Sequence, residues 1–323
     1  MNLPNHRMGL GLAALGRPGY INLGHAEDLN HTYEKETMEA AAHRVLDCAW
    51  AAGVRYFDTA RSYGLGELFL GNWLRSRNIS PQAVVIGSKW GYTYTANWQI
   101  QATHHEVKEH SLAVLDRQWK ESQETLGAQL DLYQIHSATL DSGVLENTAV
   151  LNRLAGIKAE GFAIGLSVSG AKQAEVIARA MEVEIDGNRL FDAVQATYNL
   201  LETSVSGILQ QAHETGVQTI IKEALANGRL TSRNDFSTFR DQRLLLDQLA
   251  NRYSVGIDAI ALAGVLAQPW VDTVLSGAAT EDHLLSNLQA LTLRWDEELA
   301  DQLIALAEPS QKYWTIRKGL YWN

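Results

Sequence analysis

The stretch VRYFDTARSYG, residues 54–64, decides the fold because it passes directly from a short apolar run into a polar loop. Short apolar runs of this kind recur between turn residues along the chain, a pattern typical of strands that are buried on both faces. The sequence predicts eight strands: 8–15, 54–57, 83–86, 132–135, 162–166, 191–194, 217–221 and 271–275.

Segments with helical periodicity fill the intervals between these strands. The first of them ends at Gly53, a residue type that commonly terminates helices. Strict alternation of strand and helix predicts a parallel sheet with right-handed crossover connections. The predicted helices are about 35–52, 67–75, 111–125, 144–159, 172–181, 205–214, 242–252, 257–267 and 282–291.

Eight strand–helix units favour a closed (β/α)8 barrel, the TIM-barrel fold of the α/β class, over an open doubly wound sheet. The spacing GxGxxG, which would indicate a dinucleotide-binding doubly wound sheet, does not follow the first strand. No linker rich in Pro, Gly or Ser interrupts the chain, so we expect residues 1–323 to form a single domain. Two segments, about 91–110 and about 308–323, exceed what a barrel needs, and we expect both to form walls of a pocket near its mouth.

Composition excludes several classes of function. The formal net charge of −10 argues against a nucleic-acid partner. No apolar run reaches the roughly 18 to 20 residues of a membrane helix, and the apolar start MGLGLAAL is interpreted as a strand rather than as a signal peptide. The single cysteine, Cys48, cannot form an intramolecular disulfide and is predicted to be a buried, inert thiol. We therefore expect a soluble, cytoplasmic protein that does not bind membranes.

Four ionisable side chains are predicted to meet at the mouth of this barrel. Asp58 ends the second strand, Lys89 the third and His136 the fourth, while Tyr63 lies in the loop beyond Asp58. Each alone has a simpler structural explanation, as a helix cap, a solvated lysine, a core histidine or a surface tyrosine. Their joint placement at three successive strand ends, where barrel enzymes keep their chemistry, favours a catalytic site.

This set of side chains suits the reduction of a carbonyl group. A ketone or aldehyde that takes up a hydride develops negative charge on its oxygen, so the site needs a proton donor and a nearby cation. Tyr63 is the candidate donor, and Lys89 is expected to lower the pKa of the phenol, which is about 10 when free. Asp58 would hold Lys89 charged and in place, and His136 would orient the substrate oxygen through a hydrogen bond.

Six motifs, taken in order along the chain, resemble those of the aldo-keto reductases: FDTARSYG, IGSKWG, DLYQIHS, GLSVSG, VQATYN and LSGAATEDHLLSNL. The resemblance spans nearly the whole chain. It implies an eight-stranded barrel that uses NADPH or, less often, NADH, and a small-molecule carbonyl or alcohol as substrate. The opening GLGLAALG is similar to the branch that acts on sugars and related small aldehydes.

The resemblance also implies which residues bind the inner half of the cofactor. Ser167 and Gln195 would bind the nicotinamide carboxamide, and Lys222 would lie near the nicotinamide or the pyrophosphate. Backbone groups from Leu225 to Gly228 would cradle the pyrophosphate.

At the adenosine end, the resemblance implies that Gly277, His283 and Asn287 hold the ribose and any 2′-phosphate. Lys222 and His283 are the basic residues placed near the cofactor phosphates, so we expect NADPH rather than NADH.

The chain departs from the family pattern at three positions. Val168 stands where the family usually has an asparagine after the serine, and Glu223 places an anion after the seventh strand. An arginine is common in the family at the position of His283.

Other interpretations of these residues remain open. Lys89 could form the Schiff base of a barrel aldolase, and the changes at Val168 and Glu223 leave room for a cofactor-binding regulatory subunit without useful turnover. His105 and His110 are five residues apart, about 140° around a helix, so we expect no metal site there.

The long loop and the tail carry many aromatic residues, which could line a pocket or pack on the barrel rim. Among them, Trp90 and Tyr92 are the predicted substrate-binding residues.

Overall fold

The computed structural model describes residues 6–323, and these contain a closed barrel of eight parallel strands. Each strand pairs with its sequence neighbours, and Gly9 in the first strand pairs with both Tyr56 in the second and Leu275 in the eighth. The predicted (β/α)8 barrel is therefore confirmed. From first to eighth, the barrel strands are Met8–Gly11, Tyr56–Asp58, Val85–Trp90, Leu132–Ala138, Ala163–Val168, Ala193–Thr197, Gln218–Lys222 and Thr273–Ser276.

Nine helices surround the barrel at the positions that the periodicity predicts, with ends within four residues of the prediction. Three further helices, His25–Asp28, Glu297–Leu303 and Ser310–Lys318, are not predicted from the sequence. Side-chain caps start several of them: Ser111 Oγ accepts a hydrogen bond from the Val114 N–H, and Thr280 Oγ1 accepts one from the His283 N–H. The α-helices are His25–Asp28, Lys35–Ala51, Gly66–Ser76, Leu112–Leu126, Thr148–Ala159, Gln173–Met181, Ser206–Glu214, Arg240–Tyr253, Ile257–Leu266, Glu281–Leu288, Glu297–Leu303 and Ser310–Lys318.

Single turns of 3₁₀ helix and two short hairpins complete the described elements. The hairpins pair Tyr92–Tyr94 with Glu106–Lys108 and Glu184–Ile185 with Asn188–Arg189. The first of them lies in the long segment 91–110 and gives that loop a regular core. The 3₁₀ turns are Pro81–Ala83, Gly127–Gln129, Leu140–Ser142, Val144–Glu146, Ala226–Gly228, Ser237–Phe239, Gln289–Leu291 and Ile304–Leu306.

A layer of apolar side chains fills the barrel interior below the strand ends. Seven strands each contribute one buried residue to it: Tyr56, Val85, Leu132, Ala163, Ala193, Ile220 and Leu275. The first strand contributes Gly9, where an added Cβ would lie 2.8 Å from Cδ1 of Tyr56. The absence of a side chain at Gly9 thus makes room for the Tyr56 ring, and the packed layer forms a floor on which polar side chains can stand.

Most barrel strands begin and end later than the apolar pattern predicts. The third strand, for example, is Val85–Trp90 rather than 83–86, because the ladder continues through Ser88 and Lys89. The first strand, by contrast, ends at Gly11 instead of residue 15, since the Leu12 N–H donates to the Asp58 carbonyl and the chain then turns. Apolar runs mark the buried floor of the barrel, whereas the polar residues above it are still in strand conformation.

Two further sequence predictions concern burial and membranes. Cys48 is only half-buried; it packs against the core, and burial raises the pKa of its thiol. Within residues 6–323, no single helix has the length and apolar character needed to cross a membrane. One pair of helical segments, Ser237–Tyr253 and Ile257–Leu266, meets those criteria only when the two are taken together across an 87° bend.

Candidate active site

A cleft of about 410 Å³ opens at the carboxyl end of the barrel. Its wall includes residues from the end of every strand except the third, which contributes Glu106 from its following loop, and the tail adds Arg317 and Trp322. We call the buried region around Tyr63 and His136 the inner part of the cleft. The more exposed region around Arg233 and His283 is the outer part.

Lys89 and Asp58 form a buried ion pair under the inner part. The Lys89 side chain is completely buried, and its ammonium donates hydrogen bonds to Asp58 Oδ1 and, over 2.9 Å, to the Thr59 carbonyl oxygen. Two amides also hold the Asp58 carboxylate, because Gln195 Nε2 lies 2.9 Å and Gln134 Nε2 3.3 Å from Asp58 Oδ2. This network fixes the position of the Lys89 ammonium beneath the inner part of the cleft.

Tyr63 points its phenol at this ion pair. Lys89 Nζ lies 3.4 Å from Tyr63 Oη, and the Tyr63 ring meets the His136 ring edge to face at 5.5 Å between centroids. Burial, and then the charge of Asp58, hold the pKa of Tyr63 above its ordinary value. The sequence predicts a lowered pKa for this phenol, and the structure differs because burial, followed by the charge of Asp58, outweighs the neighbouring cations.

A bulge in the fourth strand places His136. The pairing register with the fifth strand shifts between Ile135 and Ala138, and Ser137 has a left-handed φ of 50°. Such a bulge turns a strand-end side chain away from its regular direction. Burial, together with the charge of Lys89, lowers the pKa of His136 well below its usual range, so the imidazole is neutral at neutral pH.

The residues predicted to bind the nicotinamide fall into two groups. Gln195 lines the cleft, as the resemblance implies. Ser167 does not: it is completely buried behind the wall, where its Oγ accepts a hydrogen bond from the Ser137 N–H at 2.8 Å. The contact of Ser167 with the cofactor stays a prediction, and Ser137 and Ser169 stand at the cleft wall.

Lys222 and Glu223 line the cleft after the seventh strand. Lys222 Nζ donates to Thr197 Oγ1 at 2.7 Å and to Ser169 Oγ at 3.0 Å, and burial lowers the pKa of Lys222 to about 8. Glu223 Oε1 accepts from Arg317 Nη2 at 2.6 Å. Burial alone would raise the pKa of Glu223, but the charges of Arg317 and Lys222 lower it to about 2.

The Glu223–Arg317 pair explains the unexpected anion in the sequence. Glu223 adopts a left-handed φ of 54°, which aims its side chain at the tail helix Ser310–Lys318. The tail thereby supplies the cation that neutralises Glu223, and it reaches the cleft wall in doing so.

The outer part of the cleft carries charges that the sequence analysis does not identify. Arg233 pairs with Asp28, donates to the Gly24 carbonyl at 2.7 Å, and lies 3.4 Å from His283 Nε2. The other residues that the resemblance implies for this region, which are Leu225, Gly228, Gly277 and Asn287, also line the cleft.

The tail is fastened to the loop that follows the first strand. Tyr20 and Asn323 exchange two backbone hydrogen bonds, of 3.1 and 3.0 Å. The Asn323 side chain also accepts from the backbone N–H groups of His25 and Ala26, at 2.9 and 3.2 Å, and donates to the Asn22 carbonyl.

The two aromatic side chains predicted to bind substrate lie in different surroundings. Trp90 is fully buried in the core and does not line the cleft; as the last residue of the third strand it points between barrel and helices, and its substrate contact stays a prediction. The Tyr92 ring packs 4.9 Å from the His136 ring, and its substrate contact stays a prediction.

The two histidines of the long segment 91–110 have separate partners. His105 stacks on Trp322, whereas His110 Nε2 bonds the His136 carbonyl.

Sequence reasoning missed several charged residues of the cleft wall, and all of them lie outside the barrel strands and the predicted helices: Arg17, Asp28, Glu106, Arg233 and Arg317. For Glu106 and Arg317 the sequence does offer a signal, because they lie in the long segments 91–110 and 308–323, and long loops at strand ends shape pockets. No fixed spacing relates these residues to one another, so the sequence offers no pattern that pairs them.

The barrel and the ionisable group at its mouth define a class: a (β/α)8 enzyme whose chemistry lies at the carboxyl ends of its strands. The Aldo/keto reductase family model matches residues 7–308, and the chain belongs to this family. It is thus an oxidoreductase of carbonyl compounds that uses a nicotinamide cofactor.

Several relatives cover most of the chain at low identity. D-threo-aldose 1-dehydrogenase of Pseudomonas sp is 26% identical, with 88% of this chain and 91% of the relative covered. NADH-specific methylglyoxal reductase of Escherichia coli is 25% identical, with 95% and 96% covered. The holo form of an aldo-keto reductase from Bacillus halodurans has the same fold, with a TM-score of 0.68, 22% identity, and 94% and 92% covered.

Proposed function

We propose that the chain interconverts a small aldehyde, ketone or sugar carbonyl and its alcohol, with Tyr63 as the general acid and base. The observation that carries this proposal is the convergence of Tyr63, Lys89, Asp58 and His136 in the inner part of the cleft. In reduction, the phenol of Tyr63 gives its proton to the substrate oxygen as negative charge develops there.

The neighbours of Tyr63 position that proton transfer. Lys89 donates toward Tyr63 Oη, and Asp58 holds the ammonium in place. Ser62 Oγ lies 3.4 Å from His136 Nδ1. When Ser62 donates to Nδ1, the neutral imidazole carries its proton on Nε2 and can donate it to the substrate oxygen.

The cleft offers the contacts that a nicotinamide dinucleotide needs. Bound there, the cofactor would supply or accept the hydride. Gln195, Ser137 and Ser169 would contact the nicotinamide, and Lys222 would face the phosphates. Asn227, also at the wall, has a buried side-chain oxygen without a partner among the described residues, and a Cβ added at Gly277 would meet only open space.

We propose NADPH as the preferred cofactor, with NADH accepted. Two basic side chains, Arg233 and His283, stand in the outer part of the cleft, where a 2′-phosphate would find cationic partners. Asp28 offsets part of this charge because it pairs with Arg233. The preference is therefore expected to be modest.

The inner part of the cleft suits a polar substrate. Its wall carries both charged and aromatic side chains, including Arg17, Glu106, Arg317, Tyr20 and Trp322. Hydroxyl groups can donate to the carboxylates and accept from the guanidinium groups, so small hydroxylated carbonyl compounds fit this lining.

The structure argues against an aldolase. A Schiff-base lysine needs a free amine that a carbonyl carbon can approach. Lys89 is completely buried and is bonded to Asp58 and the Thr59 carbonyl. A regulatory role without turnover is also disfavoured. Arg317 neutralises the charge of Glu223, so this departure from the family pattern does not disturb the inner part of the cleft.

Replacing Tyr63 by Phe tests the proposal. Loss of general acid catalysis should lower kcat by about 10² to 10⁴, whereas the dissociation constant of NADPH should stay nearly unchanged. Both quantities are measured for wild type and Tyr63→Phe, with an aldehyde, a ketone and an aldose as substrates. A fall in kcat of less than about tenfold would show that Tyr63 is not the proton donor.

A further inference from the structure

Arg17 lies against the phenol ring of Tyr63, in the loop after the first strand. Its side chain is 4% exposed, and its guanidinium carbon is 5.2 Å from the centroid of the Tyr63 ring. The rings of Tyr20 and Trp322 are on its other sides, at 5.0 and 4.8 Å. A guanidinium held among three aromatic rings has little freedom to move away.

Backbone contacts fix the distance between Arg17 and Tyr63. Arg17 Nη1 donates to the Ser62 carbonyl oxygen at 3.2 Å, directly before Tyr63 in the chain. The Leu65 N–H donates to the Gly16 carbonyl at 2.8 Å. Gly64 has a φ of +59°, and a Cβ there would lie 2.5 Å from that same carbonyl oxygen. The two loops therefore touch backbone to backbone.

Glu106 partly neutralises Arg17. Its Oε2 lies 3.0 Å from Arg17 Nη1, and its side chain is 25% exposed. Glu106 belongs to the hairpin strand Glu106–Lys108 of the long loop, and not to the barrel. The net charge beside Tyr63 thus depends on a contact between a rigid barrel loop and a separate hairpin.

We propose that Arg17 and Glu106 are positioning residues that set, with opposite sign, the readiness of the Tyr63 phenol to release its proton. The proposal rests on the function proposed above. Lys89 cannot do this alone, since Asp58 compensates its charge. The charged and titratable groups that face Tyr63 from the surrounding elements are Asp58, Lys89, His136, Glu106, Glu223, Arg17 and Tyr20.

The physical effect follows from Coulomb's law. A cation beside a phenol stabilises the phenolate and lowers its pKa, and a neighbouring carboxylate opposes that effect. Burial is the largest influence on the pKa of Tyr63 and raises it; among the charges, Arg17 acts to lower it and Glu106 to raise it. At these separations and an effective dielectric near 20, with Glu106 offsetting part of the charge, Arg17 should account for about one pH unit.

Two variants should therefore move the Tyr63 pKa in opposite directions. Arg17→Met keeps an apolar side chain among the rings but removes the charge, so the pKa should rise by about one unit. Glu106→Gln leaves Arg17 unopposed, so the pKa should fall by a smaller amount. Arg17→Lys retains a cation, so the pKa of Tyr63 in this variant should lie close to the wild-type value.

The pKa is measured without turnover by placing a polyfluorinated tyrosine at position 63 and following its fluorine NMR signal against pH. The fluorinated phenol is more acidic, which brings the transition into a range where the fold survives. Circular dichroism on each variant confirms folding. If Arg17→Met does not fold, the pKa of Tyr63 in Glu106→Gln, which should fall, tests the proposal by itself.

Alcohol oxidation provides the second readout, because the phenolate of Tyr63 must accept the alcohol proton. Below the pKa, the rate at fixed pH should fall about tenfold in Arg17→Met and rise in Glu106→Gln. Shifts of the same sign in both variants, or no shift in Glu106→Gln, would overturn the proposal. If instead the proposed function fails, the outcome is different: Tyr63→Phe would retain activity, while the fluorine titration would still show opposite pKa shifts in Arg17→Met and Glu106→Gln.

Discussion

Lys222 is a half-buried lysine whose charge can be removed by a small rise in pH. Because burial lowers its pKa to about 8, half of the free protein carries a neutral lysine at that pH. A bound phosphate stabilises the ammonium and raises this pKa, so binding is strong below about pH 8 and weakens as the pH rises through it.

We predict that NADPH affinity, measured by fluorescence titration, falls above pH 8 in wild type. Lys222→Met should bind more weakly and should lose this part of the pH dependence. An unchanged slope in Lys222→Met would place the responsible group elsewhere in the cleft.

Asp28 is the residue that we expect to limit the preference for NADPH. Its carboxylate pairs with Arg233 and lies 3.8 Å from His283 Nε2. It therefore competes with a 2′-phosphate for both basic side chains. Removing its charge should strengthen NADPH binding several-fold, about 1 kcal/mol, and leave NADH nearly unaffected.

The test compares the two dissociation constants in wild type, Asp28→Asn and a control, Asp301→Asn, whose side chain is exposed on the helix Glu297–Leu303. Equal gains for NADPH and NADH in Asp28→Asn would indicate a general loosening of the loop instead of recognition of the 2′-phosphate.

At the scale of elements, the Arg317–Glu223 ion pair joins the tail helix Ser310–Lys318 to the barrel, together with a hydrogen bond from Asn199 Nδ2 to Tyr313 Oη and the packing of Tyr313 in the core. Glu223 has a side-chain exposure of 8%, so removing Arg317 leaves a nearly buried carboxylate without its main partner. We predict that Arg317→Met lowers the free energy of unfolding by about 2 kcal/mol, less than for a fully buried pair because Arg317 is partly exposed. Urea unfolding of the single variants and of Arg317→Met with Glu223→Gln measures the coupling.

The same ion pair should make stability depend on pH in the acid range. The pKa of Glu223 is lowered from 4.5 to about 2, so the folded state binds this proton less readily than the unfolded chain. Its contribution is fully present above pH 4.5 and is lost as the pH falls toward 2. The stability difference between wild type and Glu223→Gln should shrink over that interval; a constant difference would contradict the assignment.

The elements also show how far the sequence alone leads. Continuous apolar runs that alternate with helical segments predict the barrel, because a parallel strand covered by helices must be apolar on both faces. The same runs misplace the strand ends, since Lys89, Thr197 and Lys222 are polar yet still lie in the ladder. Of these three, Lys222 lines the cleft, whereas Lys89 and Thr197 are buried behind its wall.

The side chains at strand ends could be predicted because the chain itself fixes their place on the barrel. Arg17, Glu106 and Arg317 could not, because their partners are chosen by how loops from distant segments fold over the mouth. Ser167 and Trp90 are fully buried and do not line the cleft, so their contacts with cofactor and substrate stay predictions. Trp90 follows Lys89, and neighbouring residues of a strand point to opposite sides.

On the scale of the whole molecule, one cleft joins segments from nearly the full length of the chain. A bound cofactor would contact the loop after the first strand and the loops after the seventh and eighth. We predict that NADPH slows amide hydrogen exchange in residues 20–28, 224–233 and 277–287. The hairpin Glu184–Arg189 contributes no residue to the cleft wall and serves as the internal control. Protection confined to the inner part would contradict the proposed position of the adenosine.

The bonds between Asn323 and the loop at Tyr20 also constrain the order in which the molecule can be completed during synthesis. The first strand leaves the ribosome early, but its second neighbour is the eighth strand, so the barrel cannot close until Ser276 has been added. The loop that borders the cleft gains its contacts with Asn323 only after that residue, which follows Ser276 in the chain, has been added. Contacts so far apart in sequence form late. A nascent chain with a complete barrel therefore still lacks the complete wall of its cleft.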